Sequence, residues 1–146
     1  MAIRDSAKGL FDSTSTYRST IEVLKRLESS PFDFYLTGSR FFGLNDAYSD
    51  YDYFVKGSVD LYNFLIGEKF YRLPFDLYDD PFVEDVYEFG PGANHRIHIQ
   101  IGQTVEAKIR AQNRLLKLIN KKPHFAPLLR GHGPQARALW TLAYMD

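Results

Sequence analysis

A chain of 146 residues with 45% hydrophobic, 16% aromatic and 25% charged positions is sized and composed for one compact domain, which excludes wholesale disorder. The absence of cysteine excludes a disulfide frame, a thiolate metal site and a cysteine nucleophile, so any chemistry falls to Ser, His and carboxylates. Eighteen Lys and Arg balance eighteen Asp and Glu, but the charges are segregated: positions 33–90 hold twelve acids and four bases, whereas 91–137 hold nine bases against Glu106 alone. That asymmetry suits a metal-holding centre beside a phosphate-meeting surface, and solvated faces give the same bias.

The longest apolar run is far below the roughly 18 residues of a membrane span. The start, MAIRDSAKGLFDSTS, is charged where a secretory signal would be apolar for about 7–15 residues. A soluble cytoplasmic protein without membrane association is expected.

In chain order, Tyr17, Ile21, Leu24 and Leu27 recur at three- and four-residue intervals and predict an amphipathic helix over Thr14 to Leu27, capped by Ser13 or Ser15. Ser29-Ser30-Pro31 breaks it. Phe32 to Thr37 reads as a strand ended by Gly38, followed by one or two helical turns over Ser39 to Asp46. Asp50 to Val55 predicts a central strand. Val59 to Phe70, with Ser58 as cap, predicts a helix that returns the chain across the sheet in a βαβ pattern.

Pro74 and Pro81 punctuate the next stretch, where Asp79, Asp80, Glu84 and Asp85 read as a solvated acidic loop. Tyr87 to Phe89 and Arg96 to Ile101 predict a hairpin around Gly90-Pro91-Gly92. Its second strand alternates, with Ile97, Ile99 and Ile101 on one face and Arg96, His98 and Gln100 on the other. Thr104 is expected to cap a helix through Asn120, apolar along Val105, Ile109, Leu116 and Ile119 and basic through Lys108, Arg110, Arg114 and Lys117. A loop then leads to a last helix, Gln135 to Tyr144, which docks through Leu139, Trp140 and Tyr144. The whole reads as a single α/β (α+β) domain over 1–146, a mixed sheet flanked by helices, with its C-terminal helices in 104–146.

Two segments carry chemistry. Asp50 and Asp52 are two apart on a strand and so share a face, where like charges need cations or protons between them. Two Mg²⁺ ions on hard oxygen ligands are a recurrent solution for in-line attack on a phosphoryl group. Leu36-Thr37-Gly38-Ser39-Arg40 supplies the complement: Gly38 admits a close backbone approach, Ser39 offers a hydroxyl and an amide to phosphate oxygens, and Arg40 adds positive charge. A helix starting at Ser39 would also turn free N–H groups towards the anion.

These residues resemble the nucleotidyltransferase superfamily related to DNA polymerase beta, whose pattern is an apolar-Gly-Ser motif followed after roughly ten residues by Asp-apolar-Asp-apolar. Gly43 in GSRFFG and the pair Ser49-Asp50 are similar to features of its small one-domain members, and the motif core spans residues 34–55. The resemblance implies transfer of a nucleoside monophosphate from a nucleoside triphosphate to a hydroxyl, with Asp50 and Asp52 holding Mg²⁺ (or Mn²⁺) and Gly38, Ser39 and Arg40 cradling the triphosphate. It also implies a third carboxylate on a later strand. His98 stands where that acid is expected, able to substitute by binding metal or accepting a proton, and Asp76 is the rival.

The acceptor stays open among an RNA 3′ end, a protein hydroxyl and a small molecule, and the basic C-terminal third favours a macromolecule. In so short a chain a dimer or partner chain is expected to supply acceptor recognition. The alternative is a catalytically impaired nucleotidyltransferase fold kept as a nucleotide-binding or regulatory module. A nuclease is disfavoured because it leaves the Gly-Ser motif without a purpose. Tyr48, Tyr51, Tyr53 and Phe54 are candidates for base stacking or for the core. His124 and His132 receive no role.

Overall fold

The computed structural model describes residues 15–74, 80–90, 95–130 and 133–145. The rival acid Asp76, Asp79, the apex of the predicted hairpin loop and His132 lie outside the described residues. A five-stranded mixed sheet in the order β1-β2-β5-β4-β3 forms the middle layer, and the architecture is the expected α+β one. Its strands are β1 (Tyr35–Thr37), β2 (Tyr51–Lys56), β3 (Tyr71–Arg72), β4 (Asp85–Phe89) and β5 (Ile97–Gly102). Only β2 and β5 are parallel; the other neighbours are antiparallel. The chain leaving the helix after β2 therefore runs to the far edge, as β3, and returns through the β4–β5 hairpin. The simple βαβ unit is replaced by this longer crossover, and β5, not β2, takes the middle of the sheet.

Two helices, α1 (Ser15–Ser29) and α3 (Val59–Gly67), cover one face. The stripe Val23, Leu24 and Leu27 of α1 and Leu61 and Leu65 of α3 pack on Tyr51, Tyr53, Val55, Ile97, Ile99 and Ile101. The isoleucine alternation of β5 is thus one buried face, each such side chain contributing about 1.5–3 kcal/mol. Serine ends α1 and starts α3: the Ser30 hydroxyl donates to the Leu27 carbonyl at 2.7 Å, and the Leu61 amide donates to Ser58 Oγ at 3.1 Å.

On the other face lies α4 (Val105–Lys121), against which α6 (Pro134–Met145) packs in turn. Between them the predicted loop contains a 3₁₀ turn (Pro123–Phe125), started by Pro123 at its first position, and a short helix, α5 (Ala126–Arg130). Thr104 holds the N-cap position of α4 without a side-chain capping bond, because its ψ of 65° is not the extended conformation that aims the hydroxyl at the first turn. Trp140, Ala143, Ala111, Leu115 and Ile119 close a second core with Phe42.

Two expectations about charge are overturned here. Lys108 is not part of the exposed basic face but is buried at 2% exposure, and Asp80 is not a solvated loop acid but lies buried beside it. Lys108 Nζ sits 2.6 Å from Asp80 Oδ2 and 3.9 Å from the centroid of Trp140, and Tyr144 donates its hydroxyl to the same carboxylate oxygen at 2.8 Å. Burial pulls the lysine pKa down against the opposing charge of Asp80 and pushes the Tyr144 phenol up. Asp85 is likewise engaged, by Tyr62 and Arg72. Among the described residues no helix is long and apolar enough to cross a membrane.

Candidate active site

The strand registers align one residue from each strand in a single row: Thr37 on β1, Asp52 on β2, His98 on β5, Glu88 on β4 and Tyr71 on β3. Directly opposed residues point to the same face, so this row crosses the whole sheet on the side of α4. Asp50, immediately before β2, is within reach of its middle.

His98 is the hub. Its Nδ1 lies 3.2 Å from Asp52 Oδ1 and 3.6 Å from Asp50 Oδ2, while Nε2 lies 2.7 Å from Glu88 Oε2. Both ring nitrogens face carboxylates, an arrangement that favours the charged ring donating from each. Burial opposes that charge, but the hydrogen bond and charge of Asp52, then Glu88 and Asp50, outweigh it and push the pKa up to about 9. When charged, His98 offsets the acids around it; a cation held by Asp50 and Asp52 would oppose that charge and draw its pKa back down.

The surrounding acids respond differently. Asp50 is raised, chiefly by burial and further by the charge of Asp52, against the charge of His98. Burial also pushes Glu88 upward, but hydrogen bonds from Tyr71 and His98 and the charges of His98 and Arg96 leave it below the usual range. Arg96 Nη1 stands 3.5 Å from Glu88 Oε2.

This balance predicts a pH dependence. A histidine whose pKa rises from 6.5 to about 9 on folding adds stability that is complete below about pH 6.5 and is lost as pH climbs through 9. Urea unfolding in chelator-treated buffer is expected to show a fall approaching about 3 kcal/mol between pH 6 and pH 9.5. His98→Asn should flatten that fall; an unchanged slope in the variant would refute the assignment.

The Gly-Ser segment meets this row at β1. Helix α2 (Gly38–Phe42) begins directly after Thr37, one residue earlier than expected, with Gly38 at φ +70°. A Cβ at Gly38 would fall 2.2 Å from Asp52 Oδ2, so the glycine is required both by its backbone and by the carboxylate pressed against it. Gly43 ends α2 in the left-handed conformation, at φ +73° with open space around it.

Arg40 is spent largely on the chain itself. Nε donates to the Asp50 carbonyl at 3.1 Å, Nη2 to the Ser49 carbonyl at 2.8 Å, and the guanidinium lies over Tyr51 at 4.0 Å. It therefore positions the segment that carries Asp50. Ser39 is half-buried one residue beyond Gly38. Of the four aromatic candidates, Tyr51, Tyr53 and Phe54 are core, whereas Tyr48 is 53% exposed against the ring of His95.

Glu88 and Thr37 were not singled out by sequence reasoning. Thr37 Oγ1, beside Asp52, is buried without a hydrogen-bond partner among the described residues, as are Gln100 Oε1 and Gln112 Oε1. Buried oxygens of this kind call for a donor, a water or a cation. Asp50 and Asp52 are hard-oxygen donors of the kind a divalent cation takes, their side chains 36% and 17% exposed and both against His98 Nδ1. A second cation lacks a free carboxylate in the row, because Glu88 is committed to His98, Tyr71 and Arg96; among the described residues no three His, Asp or Glu side chains form a ready metal-holding group. Comparison with protein-family models, curated proteins and solved structures finds no match to this chain.

Proposed function

We propose that this protein is a metal-dependent nucleotidyltransferase that moves a nucleoside monophosphate from a nucleoside triphosphate to a hydroxyl acceptor. The observation that carries this reading is the seating of Gly38 against the Asp52 carboxylate, which places the Gly-Ser backbone beside paired acids. In the reaction the acceptor hydroxyl gives up its proton to solvent as its oxygen bonds to the α-phosphorus, the bond to the β-phosphate bridging oxygen breaks, and pyrophosphate leaves with the electron pair.

Asp50 and Asp52 would hold Mg²⁺ (or Mn²⁺), which when bound neutralises charge building on the phosphates. Ser39 offers its amide and hydroxyl to the triphosphate. Arg40 holds the Asp50 segment in place, and His98, pinned by Glu88, fixes the rotamer of Asp52. The motif resemblance over residues 34–55 supports the same assignment.

The test is incubation with each α-labelled nucleoside triphosphate, Mg²⁺ or Mn²⁺, and a mixture of RNA and protein acceptors, following label and pyrophosphate. Asp50→Ala/Asp52→Ala is expected to reduce transfer by about a thousandfold or more, the loss of several kcal/mol of charge stabilisation. Transfer that survives the double substitution would reject the assignment of the carboxylates. A second reading, a nucleotide-binding module without turnover, is favoured by His98 standing in the row where a third acid would. Metal-dependent nucleotide binding without transfer, lost in the double variant, is its signature.

A further inference from the structure

Positions 107–145 contain eight Lys and Arg and no Asp or Glu. Lys108 is withdrawn from this set by Asp80. Along α4 the remaining bases fall at Arg110, Arg114, Lys117 and Lys121, steps of four, three and four residues that keep them on one stripe roughly 16 Å long at the 1.5 Å helical rise. Arg110, Lys117 and Lys121 are exposed; Arg114 is half-buried and donates to the Ala143 carbonyl at 2.7 Å, which fixes it at the boundary with α6. Lys122 and Arg137 add exposed charge nearby in the chain and on α6.

Like charges at these spacings each cost an isolated helix a few tenths of a kcal/mol, and Arg110 and Arg114 lie too far from the C-terminus for the helix dipole to offset it. Exposed Glu106, one turn before Arg110, is the single acid of α4, whereas a merely solvated face ordinarily mixes both signs along its length. The stripe also lacks any exposed large hydrophobic side chain, the anchor on which protein interfaces depend. Exposed Asn113 and Asn120 supply uncharged donors and acceptors beside the bases, as backbone-binding nucleic-acid surfaces do.

We infer that the Arg110–Lys121 face of α4 is a binding surface for the phosphate backbone of a polynucleotide. As a binding surface it stands alone; as the place where an acceptor strand is held it rests on the nucleotidyltransferase reading. The opposite face of the same helix sends Gln112 to the Leu36 carbonyl of β1, so α4 is directly keyed to the strand that leads into Gly38.

The test uses the whole chain and a fluorescently labelled single-stranded RNA of about 20 nucleotides, with no nucleoside triphosphate or metal, and reads anisotropy between 50 and 200 mM salt. Three or four phosphate contacts predict a slope of log affinity against log salt of about −2 to −3. Lys117→Glu/Lys121→Glu is expected to weaken binding at least about tenfold at 100 mM salt, with far-ultraviolet dichroism and melting unchanged. Lys25→Glu/Lys56→Glu, exposed bases outside this face with the same change of net charge, should leave it within about twofold.

Equal losses in the two variants, no binding at 50 mM salt, or equally tight binding of a poly-glutamate peptide would overturn the inference. Asp50→Ala/Asp52→Ala should bind RNA normally. If wild type binds RNA yet transfers no label to any acceptor, the catalytic reading fails and this surface stands.

Discussion

Lys108→Ala is expected to destabilise the fold by about 3–5 kcal/mol, the cost of leaving one member of a buried ion pair behind. Asp80 is 4% exposed, and removing the ammonium strips it of its charge partner and leaves it only the neutral donors Tyr144 and the Phe82 amide. The cation contact with Trp140 disappears as well, loosening the junction of α4, α6 and the segment before β4. For a domain of this size the melting temperature should fall by roughly 10 °C or more. Lys108→Met/Asp80→Asn should recover most of that loss, because it removes the buried charges together and keeps the volume. Lys117→Ala, on the solvent side of the same helix, should stay within about 0.5 kcal/mol. Denaturant unfolding of the set checks the ordering, and a loss below about 1 kcal/mol in Lys108→Ala would contradict a buried pair.

The second large effect is expected at Gly38, where Gly38→Ala should reduce label transfer by about a hundredfold or more. A Cβ there would lie 2.2 Å from Asp52 Oδ2 and 2.8 Å from Asp52 Cβ and Cγ, so the carboxylate has to move. A shift of about 1 Å in a positioned group is enough for a loss of that order. Gly43→Ala is the matched control. Its φ of +73° is nearly the same as Gly38's +70°, but nothing lies within 4 Å of its would-be Cβ. Both variants pay about 1–2 kcal/mol for a side chain in the left-handed region, and only Gly38→Ala disturbs Asp52. Equal activity in the two would show that the glycine serves the backbone alone.

The contrast between those two glycines explains how much of the site was legible beforehand. Gly38, Asp50, Asp52 and His98 stood out because strand alternation and local spacing depend on neighbours in the chain, and the structure does bring them together. The isoleucine face of β5 and the Ser58 cap were readable for the same reason. The role of Arg40 was not: its guanidinium turns back to carbonyls nine and ten residues on, a choice set by how the loop closes.

Glu88 shows the limit most clearly. Its strand was recognisable from its place before the Gly90-Pro91-Gly92 loop, but its pairing with His98 depends on the register of a hairpin whose connection is too long to dictate register locally. The same holds for Lys108 and Asp80, which 28 residues separate and which look like solvated charges in sequence. Helical period indicates which residues share a face of α4; it does not say that Trp140 and Tyr144 will close over one of them. The amino-acid sequence by itself determined the longer helices and strands, the segregation of charge and the paired aspartates, because these follow from short-range geometry. Tertiary structure alone decided the five-residue row, the acids that surround the histidine at its centre and which charges are buried, because burial and register arise only when distant segments pack and exclude water.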